Sequence, residues 1–212
     1  VYHKMGQKAT PALHLSFGDK GNSIGYLVGE PNRGLSYMFQ MMNEARLGVG
    51  MGGAYIASAA YHASKQYANE RAQGRLLTNK DPHTPPTLIK NHPDVQRMLY
   101  FQKAIVEGSM GLLFQCFMWD DLAKSLDGEE KKEAQMMLDL MTTVAKTYPA
   151  EMGTQAVNQG LQVLGGYGYT EDNPLEQMAR DVRIMSIYEG TTGIHGLTLL
   201  GRGIPANNGA AL

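Results

Sequence analysis

From Gly34 onward, apolar residues return at three- and four-residue spacing: Leu35, Met38, Phe39, Met42, Ala45, Val49, Gly52, Ile56, Ala59 and Ala63. That period lays them along one face of a long helix, expected to end near Gly74. The stretch TNKDPHTPPTLIKNHPD follows, and its four prolines exclude a helix interior. Pro93 suits a helix start, and Asp94 in the first turn favours the positive end of the helix dipole. The second helix carries Val95, Met98, Leu99, Gln102, Ile105, Leu112, Cys116 and Trp119 inward and stops near Asp127-Gly128. A third starts around Glu129-Glu130 and runs to Leu164, with Pro149 predicting a kink or break inside it. Shorter helices begin around Pro174 and after Gly190.

Residues 1–30 obey a different rule. The segments ALHLSFG and SIGYLVGE alternate around the turn-forming run Gly18-Asp19-Lys20-Gly21-Asn22, which is strand and hairpin chemistry. Two or three strands alone cannot bury a core. Residues 1–30 therefore read as the end of a β-domain, and residues 31–212 as a helical domain. The predicted fold is mainly α, an antiparallel four-helix-type bundle with a short β segment at the N-terminus. The chain opens without a methionine and reads as a piece of something longer.

Composition narrows the function classes. A net charge of −1 gives no broad attraction to nucleic acid or anionic membrane. No apolar stretch approaches the roughly 20 residues needed to span a bilayer, so a cytoplasmic protein is expected. The single cysteine, Cys116, lies in GLLFQCFMW and reads as a small core residue. No metal site is expected.

Four features carry candidate chemistry. The run GVGMGG, Gly48 to Gly53, satisfies a dinucleotide-phosphate pattern, but it sits inside an unbroken helical period. Close helix packing through small residues is the expected explanation. The glycines of LQVLGGYGYTEDNP follow a helix end, either as a C-cap or as a backbone approach to a ligand, with Gln162 one turn earlier. Arg71 is either a solvated cation at a helix C-terminus or a phosphate clamp. Glu189 stands alone in RIMSIYEGTTGIHGL, with no Lys or Arg beside it after Arg183. It is either an ordinary helix-end glutamate or a working base.

Taken together, ARLGVGMGGAYIASAAYHASKQYANERAQGR and LQVLGGYGYTEDNPLEQMARDVRIMSIYEGTTGI resemble the C-terminal helical domain of acyl-CoA dehydrogenases. The head KMGQKATPALHLSFGDKGNSIGYLVGEPNRGL is similar to the end of that family's middle β-domain, so the resemblance covers nearly the whole chain. The proline-rich loop and HPDVQRML resemble the longer bacterial subgroup that includes methylmercaptopropionyl-CoA dehydrogenases.

The resemblance implies roles position by position. Glu189 would be the general base removing the α-proton of an acyl-CoA thioester, with the β-hydride passing to FAD to leave a trans-2-enoyl-CoA. An apolar setting suits such a base, because desolvation strengthens a carboxylate's hold on a proton. Gly190 would line the thioester end of the substrate site, and Arg46 would help to hold its wall. Thr191, Thr192 and Gly193 would approach the FAD. Arg71, Gln73, Gln162, Gly165 and Gly166 would contact the FAD of a neighbouring subunit. Arg180 and Asp181 read as a structural pair within the bundle.

Two positions depart from the family pattern. Where many members have Arg-x-x-Phe-Gly, this chain has Arg71-Ala72-Gln73-Gly74. His195 replaces the usual glutamine after the acid and reads as a helix-face residue.

The implied partners are an acyl-CoA, electron-transfer flavoprotein and further copies of the chain in a homodimer or homotetramer. An acyl-CoA oxidase, or a non-catalytic interaction or nucleic-acid-binding module, are the alternatives; the intact acid and the lack of a basic face argue against the module. The 212-residue chain by itself is expected to fold, to retain no FAD and to be inactive.

Overall fold

The computed structural model describes residues 1–209, apart from the side chains of Phe39, Gln40, Asn207 and Asn208. Three long helices dominate: α1 (Gly34–Glu70), α2 (Pro93–Ser125) and α3 (Gly128–Leu164). Two short ones follow, α4 (Leu175–Val182) and α5 (Thr192–Thr198). Pro93 opens α2 with Asp94 in its first turn, as the sequence predicts.

The long helices run up, down and up. Gly50 meets Leu113 and Ser64 meets Gln102, so α1 and α2 are antiparallel. Gly50 meets Ala145, and Gly160 lies by Ala60, so α1 and α3 are parallel. No long fourth helix completes the bundle among the described residues. Its place is taken by α4 and the 3-10 turn Arg183–Ser186, which run back along α1 and α3 with Leu175 against Gly160 and Met185 against Gly52.

The buried face of α1 is offset from the predicted one. Its fully buried positions include Gly50, Gly53, Ala54, Ala57, Ala60, Ser64 and Ala68, whereas Ala59 is exposed and Ile56 and Ala63 are half-buried. Phe39, placed by sequence on the apolar face, has its side chain outside the described residues. The reason for the offset is the parallel neighbour. Small residues let the α1 and α3 backbones touch, and bulkier side chains flank the seam. A Cβ at Gly53 would stand 2.9 Å from the carbonyl oxygen of Pro149. The run Gly48 to Gly53 is thus a helix-packing surface.

Pro149 does not break α3. Lacking an N–H, it leaves the Ala145 carbonyl without its intrahelical donor, and that carbonyl lies directly against Gly50. In α2, buried Gln102 accepts from Ser64 Oγ at 3.0 Å and donates to the Met98 carbonyl at 3.2 Å. Cys116 is fully buried, and burial pushes its thiol up to about 11.

The expected β segment is not formed: among the described residues of the head there is no strand. A turn does form, with Gly21 N–H donating to Gly18 O. The flanking Leu15, Phe17, Ile24, Tyr26 and Val28 are exposed, because no sheet is present to cover either face. The first residues dock instead on α4. Gln7 N–H donates to Asp181, and Arg180 donates to the Met5 carbonyl. Arg180 and Asp181 therefore do not pair with each other as predicted. Arg180 is bridged to Glu176 one turn back at 2.9 Å, while Asp181 receives the head.

Candidate active site

The chain between the 3-10 turn Arg183–Ser186 and α5 carries the lone acid through a left-handed bend. Glu189 has φ +54° and Gly190 φ +94°. For a residue with a Cβ that backbone region costs on the order of 1–3 kcal/mol, and it persists only where the surroundings over-determine it. Two buried side chains do so here. His195 Nε2 donates to the Glu189 carbonyl at 3.0 Å, and Lys146 Nζ donates to the Gly190 carbonyl at 2.6 Å. Gly190 is needed on a second count, since a Cβ there would lie 2.8 Å from His195 Nε2.

Both donors are sealed from water, Lys146 at 0% exposure and His195 at 2%. His195 is thus a buried prop beneath the acid, and the helix-face reading is corrected. Since a carbonyl only accepts, the proton of the neutral ring is on Nε2, and Nδ1 is buried with no partner among the described residues. Burial holds the imidazole below its usual value, and the Lys146 and Arg46 charges push the same way. Lys146 is likewise lowered, chiefly by burial, with Glu151 and Glu189 opposing and Arg46 assisting. Half-buried Arg46 donates to Asn43 at 3.2 Å, and its Nε is buried without a partner among the described residues. Thr192 Oγ1 donates to Glu151, tying the start of α5 to α3.

The Glu189 side chain is half-buried, and among the described residues its carboxylate accepts no hydrogen bond. Its apolar neighbours in sequence are themselves open to solvent. Ile187 is 47% exposed, Tyr188 36% and Ile194 54%.

A second group of candidates gathers at the far end of the bundle. α1 stops at Glu70, four residues short of the predicted Gly74, because Arg71 turns into extended backbone. The segment from Arg71 to Gly74 then pairs with residues 87–89. Gln73 N–H donates to Thr87 O at 2.8 Å, Thr87 N–H to Gly74 O at 2.9 Å, and Ile89 N–H to Arg71 O at 2.8 Å. His92 Nε2 donates to the Gln73 carbonyl at 2.8 Å. Arg71, Gln73, His92, Gln162 and Gly165 line one cavity of about 360 Å³. The Arg71 guanidinium makes no ion pair among the described residues, and Gly165, at φ +61°, and Gly166 are open to solvent. A free cation, two amides and uncovered backbone fit the phosphates and hydroxyls of a nucleotide-containing cofactor.

The structure thus sorts the predicted residues into two sites. Arg46, Glu189, Gly190, Thr191, Thr192 and Gly193 belong to the first; Arg71, Gln73, Gln162, Gly165 and Gly166 to the second. Sixteen residues of α3 separate Lys146 from Gln162, about 24 Å at 1.5 Å per residue. Sequence reasoning missed Lys146, Glu151 and His92. Lys146 had a signal: it falls on the inward stripe of α3 four residues after Thr142 and three before Pro149, both buried. Glu151 and His92 carried none.

The match to known proteins is specific. Residues 87–204 match the family described as acyl-CoA dehydrogenase, C-terminal domain. The 3-methylmercaptopropionyl-CoA dehydrogenase of Ruegeria pomeroyi is 39% identical over 98% of this chain and 34% of its own. The broad-specificity linear acyl-CoA dehydrogenase FadE5 of Mycobacterium tuberculosis is 38% identical over 100% of this chain and 35% of its own. The chain therefore spans about a third of the length of these curated relatives. Among solved structures, an acyl-CoA dehydrogenase complexed with FAD from Bacillus anthracis superposes with a TM-score of 0.67 and 26% identity. It covers 82% of this chain and 29% of that one.

Proposed function

The chain belongs to the acyl-CoA dehydrogenase family as its C-terminal helical domain, and from that premise we propose that the whole protein oxidises an acyl-CoA thioester with Glu189 as the general base. The observation that carries this is the left-handed Glu189-Gly190 turn, pinned through both carbonyls, with a carboxylate that accepts no hydrogen bond among the described residues. A carboxylate held that way is aimed yet free to accept a proton, as a general base must be. The exposed apolar side chains Ile187, Tyr188 and Ile194, near the acid in sequence, suit contact with an acyl chain or a flavin ring.

Glu189 removes the α-proton of the thioester, and Gly190 lines the reacting end. FAD, when bound, accepts the β-hydride, so that the product is the trans-2-enoyl-CoA. Arg46 braces the wall on the α1 side. Thr191, Thr192 and Gly193 face the cofactor of the same subunit. Arg71, Gln73, Gln162, Gly165 and Gly166 hold the FAD of a neighbouring subunit, and the separation of about 24 Å between the two sites supports that division. The working protein is then a homodimer or homotetramer, with electron-transfer flavoprotein as the electron acceptor. The dehydrogenase names of the relatives favour this over an oxidase or a non-catalytic module.

Glu189→Gln in the full-length holoenzyme tests the assignment. FAD content should be unchanged, while bleaching of the flavin band by acyl-CoA should slow by at least about 10²-fold, the lower end for loss of a general base. Unchanged bleaching refutes it.

A further inference from the structure

We infer that Lys146 and His195 form a two-point clasp on the consecutive carbonyls of Glu189 and Gly190, and that this clasp positions the base for proton transfer. The inference rests on the reading of Glu189 as that base. Neither donor reaches the carboxylate among the described residues. Each acts through the backbone, so these are positioning residues.

The geometry supports a dedicated device over incidental packing. The two contacts come from different elements, α3 and α5, and converge on adjacent peptide units at 2.6 and 3.0 Å. Those units follow directly on Glu189, which with Gln7 and Asn32 makes up the non-glycine residues of positive φ among the described residues. Both donors are buried, and Lys146 is a cation at 0% exposure serving one carbonyl. A buried ammonium is costly unless it is paired and hydrogen-bonded. Glu151 and Glu189 supply opposite charge, although burial, with Arg46 assisting, still outweighs them and lowers the lysine below its usual value. His195 fills the space beneath Gly190, where only a residue without a Cβ lets the ring approach. Fixing the peptide plane that follows Glu189, and the next plane after it, holds the C-terminal side of the acid's backbone in place and limits how far the carboxylate can swing. Misplacing a reacting group by about 1 Å can cost on the order of 10²-fold.

The test uses the full-length FAD-loaded protein and single-turnover flavin reduction at saturating acyl-CoA. Lys146→Met and His195→Leu each keep an apolar side chain of similar bulk while removing the donor. Each should lower the rate constant at least tenfold, with FAD content kept and the dissociation constant for acyl-CoA within about twofold. His195→Gln restores an N–H donor and should recover most of the loss. Because both donors serve one turn, the double variant should lose less than the product of the single losses. If Lys146→Met yields little folded holoenzyme, the His195 pair decides alone. Near-wild-type rates in His195→Leu, or equal losses in His195→Leu and His195→Gln, overturn the clasp while Glu189→Gln still stands as the test of the base. A wild-type rate in Glu189→Gln instead removes the base, and the clasp's purpose with it.

Discussion

Replacing Gly50 by alanine tests the seam that seats the whole site. The added methyl carbon would lie 2.1 Å from the Ala145 carbonyl oxygen and 3.1 Å from Leu113 Cδ2. A carbon-to-carbonyl contact normally settles at about 3.3–3.6 Å, so α1 and α3 must part by roughly 1 Å. The obstacle is backbone, which has no rotamer to change. Overpacking of this kind costs about 1–3 kcal/mol, and the top of that range applies here. Alanine's better helix propensity returns about 1 kcal/mol, leaving a net loss near 2 kcal/mol. Gly48→Ala is the control two residues away on the same helix. Nothing lies within 4 Å of its new methyl, so the propensity gain should stand alone at about 0.5–1 kcal/mol. Urea and thermal unfolding of the 212-residue chain measure both. At about 2–4 °C per kcal/mol for this size, Gly50→Ala should drop the midpoint by roughly 4–8 °C while Gly48→Ala raises it. If the two variants move the midpoint in the same direction, the backbone contact at Ala145 is not what sets the helix spacing.

Stability should also carry the mark of His195. Burial lowers its folded-state value, so below the ordinary value of about 6.5 the unfolded chain binds a proton that the folded chain refuses, and stability is lost as pH falls through that window. Against His195→Gln, the wild type should lose ground between about pH 7.5 and 5.5; a pH-independent difference contradicts the burial argument. At the second site, Arg71→Ala in the full-length protein should weaken FAD binding about tenfold, the low end for a charge-assisted hydrogen bond because the side chain is exposed. Flavin fluorescence titration measures it, and an unchanged dissociation constant removes Arg71 from the cofactor site.

Local chemistry made much of this legible. The three/four period and the Pro93-Asp94 start announced the long helices, because burying an apolar stripe requires that spacing wherever the partner lies. The C-terminal end of α1 was misjudged for a tertiary reason. Nothing near Glu70 stops a helix by itself; pairing of residues 71–74 with residues 87–89 pulls the chain into extended backbone. The head was misjudged for the opposite one. Its alternation is real, but a strand needs a neighbour, and residues 1–30 meet helices instead, with residues 5 and 7 on α4 and Glu30 on Tyr37 of α1.

The active-site motif divides along the same line. The residue pattern singled out Glu189, because an isolated acid in an apolar run departs from ordinary surface patterning, and the family resemblance added a role for Gly190. Sequence alone also placed the small residues from Gly48 to Gly53 on a helix-packing surface, since their setting was periodic. What holds the acid came only from the fold. Lys146 is 43 residues away in the chain and reaches Gly190 because a parallel α1–α3 seam of glycine and alanine brings α3 under the turn. A lone histidine after the acid reads from sequence as a helix-face residue, yet α5 turns His195 inward beneath the acid. Periodicity reports which face of an element is buried, but the carbonyl that a buried donor meets is decided by the packing of elements far apart in sequence.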